Sequence, residues 1–214
     1  MTCSFELTHY RALVEAGRSG GYSFGLFDRE PKAGQLLLRH DVDLSLDAAL
    51  RMAELEHELQ AQATYFLMTE SVFYNLDSTV GRDALAALRD LGHRVGLHAV
   101  WPSADVADDR FDAVLAWHNP DPEYMSASLD GFANAMEPRF FSPDAYRSDS
   151  NQRWRHGCPH EALSRGDFEW LQLLTHPEIW VYPGETMRET MLAMLDAERE
   201  RRLRQLAADR IDLA

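Results

Sequence analysis

The apolar positions of this chain fall into two rhythms. Leu36-Leu37-Leu38 is an unbroken apolar run between Gly34 and Ser45, too short for a helix, and it predicts a buried strand. Residues 63–68 (ATYFLM), 94–100 (RVGLHAV) and 113–117 (AVLAW) repeat that kind of run, and 145–148 and 170–175 read as further strands. Between the strands the spacing lengthens. Across 46–60, Ala48, Met52, Leu55 and Leu59 recur at i, i+4, i+7 and i+11, which predicts an amphipathic helix. Across 78–91, Leu85, Leu88 and Leu91 lie on one face and Gly92 supplies the stop. A short helix is expected over 5–16, closed by Gly17, Gly20 and Gly21, with an irregular or edge strand over 22–27. Strand, helix, strand, helix, strand is the pattern of a parallel α/β sheet or barrel.

The second half is less regular, punctuated by Pro120, Pro122, Pro138 and Pro143. A long helix over about 184–208 begins apolar (Met187, Met191, Met194) and turns charged. Glu198 with Arg202, and Glu200 with Arg204, are i,i+4 pairs in the favourable order, so this reads as a solvated closing helix. With no repeat and no low-complexity linker, residues 1–214 are expected to form a single domain.

Composition narrows the partners. A hydrophobic content of 45% and 10% aromatic residues suit a full core. The net charge of -14 argues against nucleic acid or an anionic membrane as the partner. No apolar run approaches the roughly 18 residues of a membrane span. Residues 1–17 lack a basic region followed by an apolar one, so a cytoplasmic location is expected. Cys3 and Cys158 make neither a disulfide framework nor a Cys-x-x-Cys metal knuckle.

The chemistry starts with Asp41 and Asp43, which follow the triple-leucine strand. Ligands of α/β proteins bind beyond the carboxyl ends of the strands, where this pair sits. The two are expected to point in different directions, one holding a metal and the other free to take a proton. Ser45 and Asp47 already suit the capping of the next helix, which leaves the aspartate pair without a structural task. His98 lies in the third strand, His118 just after the fourth and His176 after the last, so three imidazoles join the acids at strand ends. His40 and His93 flank these stretches and read as structural; His9, His57, His156 and His160 lie in helical or loop contexts.

Arg39-His40-Asp41-Val42-Asp43, then Gly92 to His98, then Tyr146-Arg147-Ser148-Asp149-Ser150-Asn151, then Leu174-Thr175-His176-Pro177 occur in the order of a known set of motifs. Over residues 36–182 the chain resembles the polysaccharide deacetylase (NodB-like, carbohydrate esterase) superfamily. The resemblance implies a distorted (β/α) barrel of about seven strands and the removal of acyl groups from amines with one divalent metal ion, zinc foremost. It implies Asp41 as general base, Asp43 and His98 as metal ligands, Arg147 as the arginine orienting the base, and His176 as general acid. Asn151 and Trp154, in and just past the third motif, are expected to contact a sugar or other small-molecule substrate, with Trp101 a further stacking surface. Trp180 is expected to be core.

Two departures stand out. Where the family has its second metal histidine, four residues after the first, this chain has Pro102, which cannot ligate. The loop carrying Arg147 continues Ser148-Asp149 where a proline-rich turn is usual. His118 is expected to replace the missing ligand, with His176 and Asp105 as rival donors. Two other classes stay open: a metal-free, deacetylase-like carbohydrate-binding protein, and a glycosyltransferase using an Asp-x-Asp metal motif. Only 40 residues precede Asp41, too few for the nucleotide-binding sheet of the latter.

Overall fold

The computed structural model describes residues 3–101 and 108–212. In chain order the elements are α1 (Leu7–Ser19), β1 (Ser23–Phe24), β2 (Gln35–Val42), α2 (Leu46–Glu58), β3 (Ala63–Met68), α3 (Thr79–Asp90), β4 (Arg94–Ala99) and β5 (Val114–Trp117). There follow β6 (Ala133–Asn134), β7 (Tyr146–Ser148), α4 (His160–Arg165), β8 (Trp170–Thr175), α5 (Pro177–Val181) and α6 (Met187–Ala208). One parallel sheet runs β6-β5-β4-β3-β2-β8-β7, with β1 alongside β2.

β2 is central because its neighbours bury both faces, as its near-continuous apolar run requires. Leu36, Leu38 and Val42 enter the large core shared with Tyr10 and Leu13 of α1 and Met52 of α2. Leu37, on the other face, packs with Phe66, Val114, Ala116, Ala135 and Phe140. On that same face Gln172 of β8 accepts from Arg39 Nη1 at 3.2 Å and donates to the Ala135 and Phe140 carbonyls at 2.9 and 2.7 Å. Those carbonyls lie just beyond β6, at the far end of the strand order. A side chain spans that distance only because the sheet curls on itself with helices outside it.

One buried charge ties helices to strands. Glu56 of α2 accepts from Tyr10 at 2.5 Å, Tyr65 at 2.6 Å and the His40 ring at 2.8 Å. Burial pushes its pKa up, but His40, His93 and the Tyr10 hydroxyl outweigh that and hold it below the usual carboxylate range. His40 also contacts Thr175 of β8 at 2.7 Å. A fully satisfied buried network of this kind fixes a unique register, here that of the strand carrying Arg39 and Asp41. His40 and His93 are structural, as expected.

The helix over 5–16 begins and ends later than the spacing predicts, at Leu7–Ser19, and the strand over 22–27 shrinks to two residues. α6 buries only Thr190 and Met194, starts with a Thr186/Glu189 capping box and keeps the Glu198–Arg202 pair at 2.7 Å. Glu200 pairs instead with Arg199. Among the described residues, no helix is long and apolar enough to cross a membrane.

Candidate metal centre and its cavity

The register stacks the polar groups on one end of one face. Asp41 pairs across to Phe66, Phe66 to Gly96, Met68 to His98, and His98 to Ala116. Two residues beyond Ala116, just past the end of β5, comes His118, and two residues beyond Asp41 comes Asp43. The pleat has a period of two, so residues i and i+2 share a face. The expectation that Asp41 and Asp43 diverge is therefore corrected: both face the concave side and differ in height. His98 Nε2 lies 3.8 Å from Asp41 Oδ2 and 3.1 Å from Asp43 Oδ1.

Three donor atoms converge at the top. Asp43 Oδ1 is 3.1 Å from His98 Nε2 and 3.2 Å from His118 Nδ1, and the two ring nitrogens are 3.1 Å apart. Tetrahedral bonds of about 2.0–2.1 Å to one ion would separate such donors by roughly 3.3–3.4 Å, so the triangle is nearly the right size. His98 Nδ1 lies 2.8 Å from the Ala116 carbonyl, which only an N–H can satisfy, so Nε2 is the nitrogen that faces the triangle. Asp43 Oδ1 is buried and, among the described residues, has no hydrogen-bond partner despite its two close neighbours. Burial pushes the Asp43 carboxyl up, but the His118, His98 and His176 rings drive it far below the ordinary range. Asp43 in turn raises His118 above its usual value, against burial. A carboxylate and two imidazoles in this disposition fit a divalent cation. Tyr74 holds the strand ends below them, donating to the Val42 carbonyl at 2.6 Å and accepting from Met68 N at 2.8 Å.

His176 sits beside the triangle, its Nε2 4.0 Å from Asp43 Oδ2. Its Nδ1 donates to Asp149 Oδ1 at 2.6 Å, while Asp149 Oδ2 accepts from His176 N and Trp180 Nε1 at 3.0 and 2.7 Å. Burial opposes the imidazolium, but the Asp149 charge wins and His176 is pushed up to about 10. Glu178, two residues on, is buried with Oε2 unpaired among the described residues. Burial and nearby Asp43 push its pKa up to about 8 despite the His176 charge.

Asp41 is clamped by Arg39, with Nε–Oδ1 at 2.8 Å and Nη2–Oδ2 at 2.7 Å. Burial raises its pKa, but Arg39, His98 and His176 pull it below the usual range. The assignment of Arg147 as the orienting arginine is corrected here. Its guanidinium contacts the Pro143, Asp144 and Tyr146 carbonyls and lies over the Phe168 ring, while Arg39 holds Asp41. The reason is again the pleat: Arg39 shares the face of Asp41.

A cavity of about 440 Å³ opens over these groups, walled by Asp43, His118, His176, Glu178, Ser150 and Asn151. Val72, Phe73 and Val100 give its mouth an exposed apolar side. A second hollow of about 300 Å³ lies across His118, where Trp101 stacks on Tyr124 at 5.5 Å. Asn151 thus lines the cavity, in a left-handed conformation with φ 57°. Trp154 does not: it packs on Phe5 and Trp180 and donates to Cys3 Sγ at 3.2 Å, so its expected substrate contact is corrected to a packing role. Trp180 is buried, as expected. Pro102 and Asp105 lie outside the described residues.

Sequence reasoning missed Arg39, Asp149 and Glu178, and the hydrogen bond from the buried Trp180 to Asp149. Arg39 was available from period two, and Asp149 from the departure at Ser148-Asp149; Glu178 carried no signal beyond its place two residues after His176. No family model, curated protein or solved structure matches the chain.

Proposed function

We propose that this protein is a metal-dependent hydrolase that removes an acyl group from the amide nitrogen of a sugar or other small amine, and that its curled sheet is a distorted barrel of the NodB-like deacetylase kind. The observation that carries the reading is the convergence of Asp43 Oδ1, His98 Nε2 and His118 Nδ1 within 3.2 Å of one another, around a buried carboxylate oxygen with no hydrogen-bond partner among the described residues. These three residues would hold the ion, zinc being the cation such a donor set suits best. When bound, it supplies Lewis acidity toward the acyl carbonyl and the attacking water.

The chain's own groups do the rest. Asp41, anionic and clamped by Arg39, takes the proton of the attacking water. His176, kept as imidazolium by Asp149, gives its Nε2 proton to the departing amine nitrogen. Glu178 stands beside it as a second proton source, its pKa of about 8 close to working pH. The apolar mouth suits an acyl chain or a sugar face. Only Asp43 of the Asp-x-Asp pair reaches the donor triangle, which disfavours two aspartates clasping a nucleotide-bound metal.

The test is acyl release from a panel of N-acetylated amino sugars, N-acetyl amines and O-acetyl esters, using metal-stripped protein reloaded with zinc or cobalt. Release from at least one N-acyl substrate, lost in Asp43→Ala, supports the reading. Metal-loaded protein that releases no acyl group from any substrate would contradict it.

A further inference from the structure

A second cluster lies behind Trp180, on the helix side of the sheet. Cys3 precedes α1, His9 lies in its first turns and Cys158 belongs to the loop entering α4. His9 Nε2 is 3.4 Å from Cys3 Sγ and 3.2 Å from Cys158 Sγ, and the three donor atoms all lie within 4.8 Å of one another. No motif marks these cysteines in the sequence because they are far apart along the chain; packing of α1 on α4 brings them together.

From this geometry we infer that Cys3, His9 and Cys158 form a second, thiolate-rich metal site that takes zinc, separate from the Asp43 centre. One nitrogen facing two sulfurs cannot serve both with a single N–H, whereas a shared ion serves all three. Zinc bonds of about 2.3 Å to sulfur and 2.0–2.1 Å to nitrogen, at tetrahedral angles, set sulfur and nitrogen about 3.5 Å apart, close to what is found. Two thiolates and an imidazole are also the soft donor set that selects zinc over calcium or magnesium. Trp154 Nε1 donates to Cys3 Sγ at 3.2 Å, the kind of outer bond that orients a sulfur ligand. Both cysteines are half-buried, so a fourth position stays open to water.

The site clasps the segment before α1 to the loop that enters α4. It also abuts the holder of the acid: the His9 ring lies parallel to Trp180 at 6.3 Å, and Trp180 donates to the Asp149 that binds His176.

The experiment uses the reduced full chain, stripped of metal and titrated with zinc and, separately, cobalt. Bound metal is counted by mass spectrometry, and thiolate-to-cobalt charge transfer is read in the near ultraviolet. The wild type should show the charge-transfer band; Cys158→Ser and Cys3→Ser should each lose the band and one equivalent of metal while keeping the far-ultraviolet circular dichroism of the parent. Asp43→Ala should keep the band. If the Asp43 centre itself binds nothing, the wild type still takes one equivalent with the band, so the two claims fail separately. Absence of the band in the wild type would overturn the inference. So would unchanged metal content in both serine variants, or an intact mass two hydrogens lighter that persists under reduction.

Discussion

Asp149→Asn isolates the device that keeps the proposed acid charged. Asp149 is fully buried and gives its two oxygens to His176 Nδ1, His176 N and Trp180 Nε1. The distance from an ordinary histidine value of 6.5 to about 10 corresponds to about 5 kcal/mol of preference for the imidazolium at 1.36 kcal/mol per pKa unit. A raised folded-state pKa contributes stability that is fully present below 6.5 and is lost as pH rises toward 10. Glu178 titrates in the folded state at about 8, so the interval above it belongs mainly to His176. The assay is urea unfolding of metal-stripped wild type and variant at a series of pH values. Between roughly pH 8 and 9.5 the wild type should lose about 2 kcal/mol through this one group. The variant should lack that part of the slope and carry a constant penalty of about 1–3 kcal/mol for mispaired buried donors. A stability difference between the two proteins that is the same at pH 8 and pH 9.5 would refute the claim that Asp149 holds His176 protonated.

Other substitutions read other parts of the site. A carboxyl whose folded pKa is raised to about 8 loses stability as pH rises from 4.5 to 8, so thermal unfolding of Glu178→Gln should match the wild type near pH 4 and exceed it at pH 8. Equal melting at pH 8 would remove the cost assigned to this buried acid. Arg39→Met removes both hydrogen bonds that clamp the buried Asp41 anion and should cost about 3–5 kcal/mol in urea unfolding, along with turnover. Arg147→Ala, by contrast, should stay within roughly 1 kcal/mol of the parent and keep its activity. The reverse ranking would return the orienting role to Arg147.

The long strands were legible because both of their faces are buried, and 63–68 and 170–175 match the structure residue for residue. Short elements were not: β6 has two residues, and α4 and α5 have six and five, too few for any periodicity to register. The sheet order was hidden as well, since β8 joins β2 across more than a hundred residues. At the site, His98, His118 and Asp43 were legible from strand-end placement, and His118 does neighbour His98, as adjacent parallel strands demand. Motif order pointed to Arg147 and obscured Arg39, which the alternation of β2 places beside Asp41. The Cys3–His9–Cys158 cluster depends wholly on helix packing and leaves no trace in local spacing.

The central claim concerns three donor atoms, and a crystal structure of zinc-loaded protein, with anomalous scattering recorded at the zinc edge, tests it most directly. The account predicts an ion bound by Asp43 Oδ1, His98 Nε2 and His118 Nδ1 at roughly 2.0–2.2 Å. A zinc-loaded crystal with no anomalous peak between these residues, or with both His118 nitrogens more than about 4 Å from the ion, would contradict it.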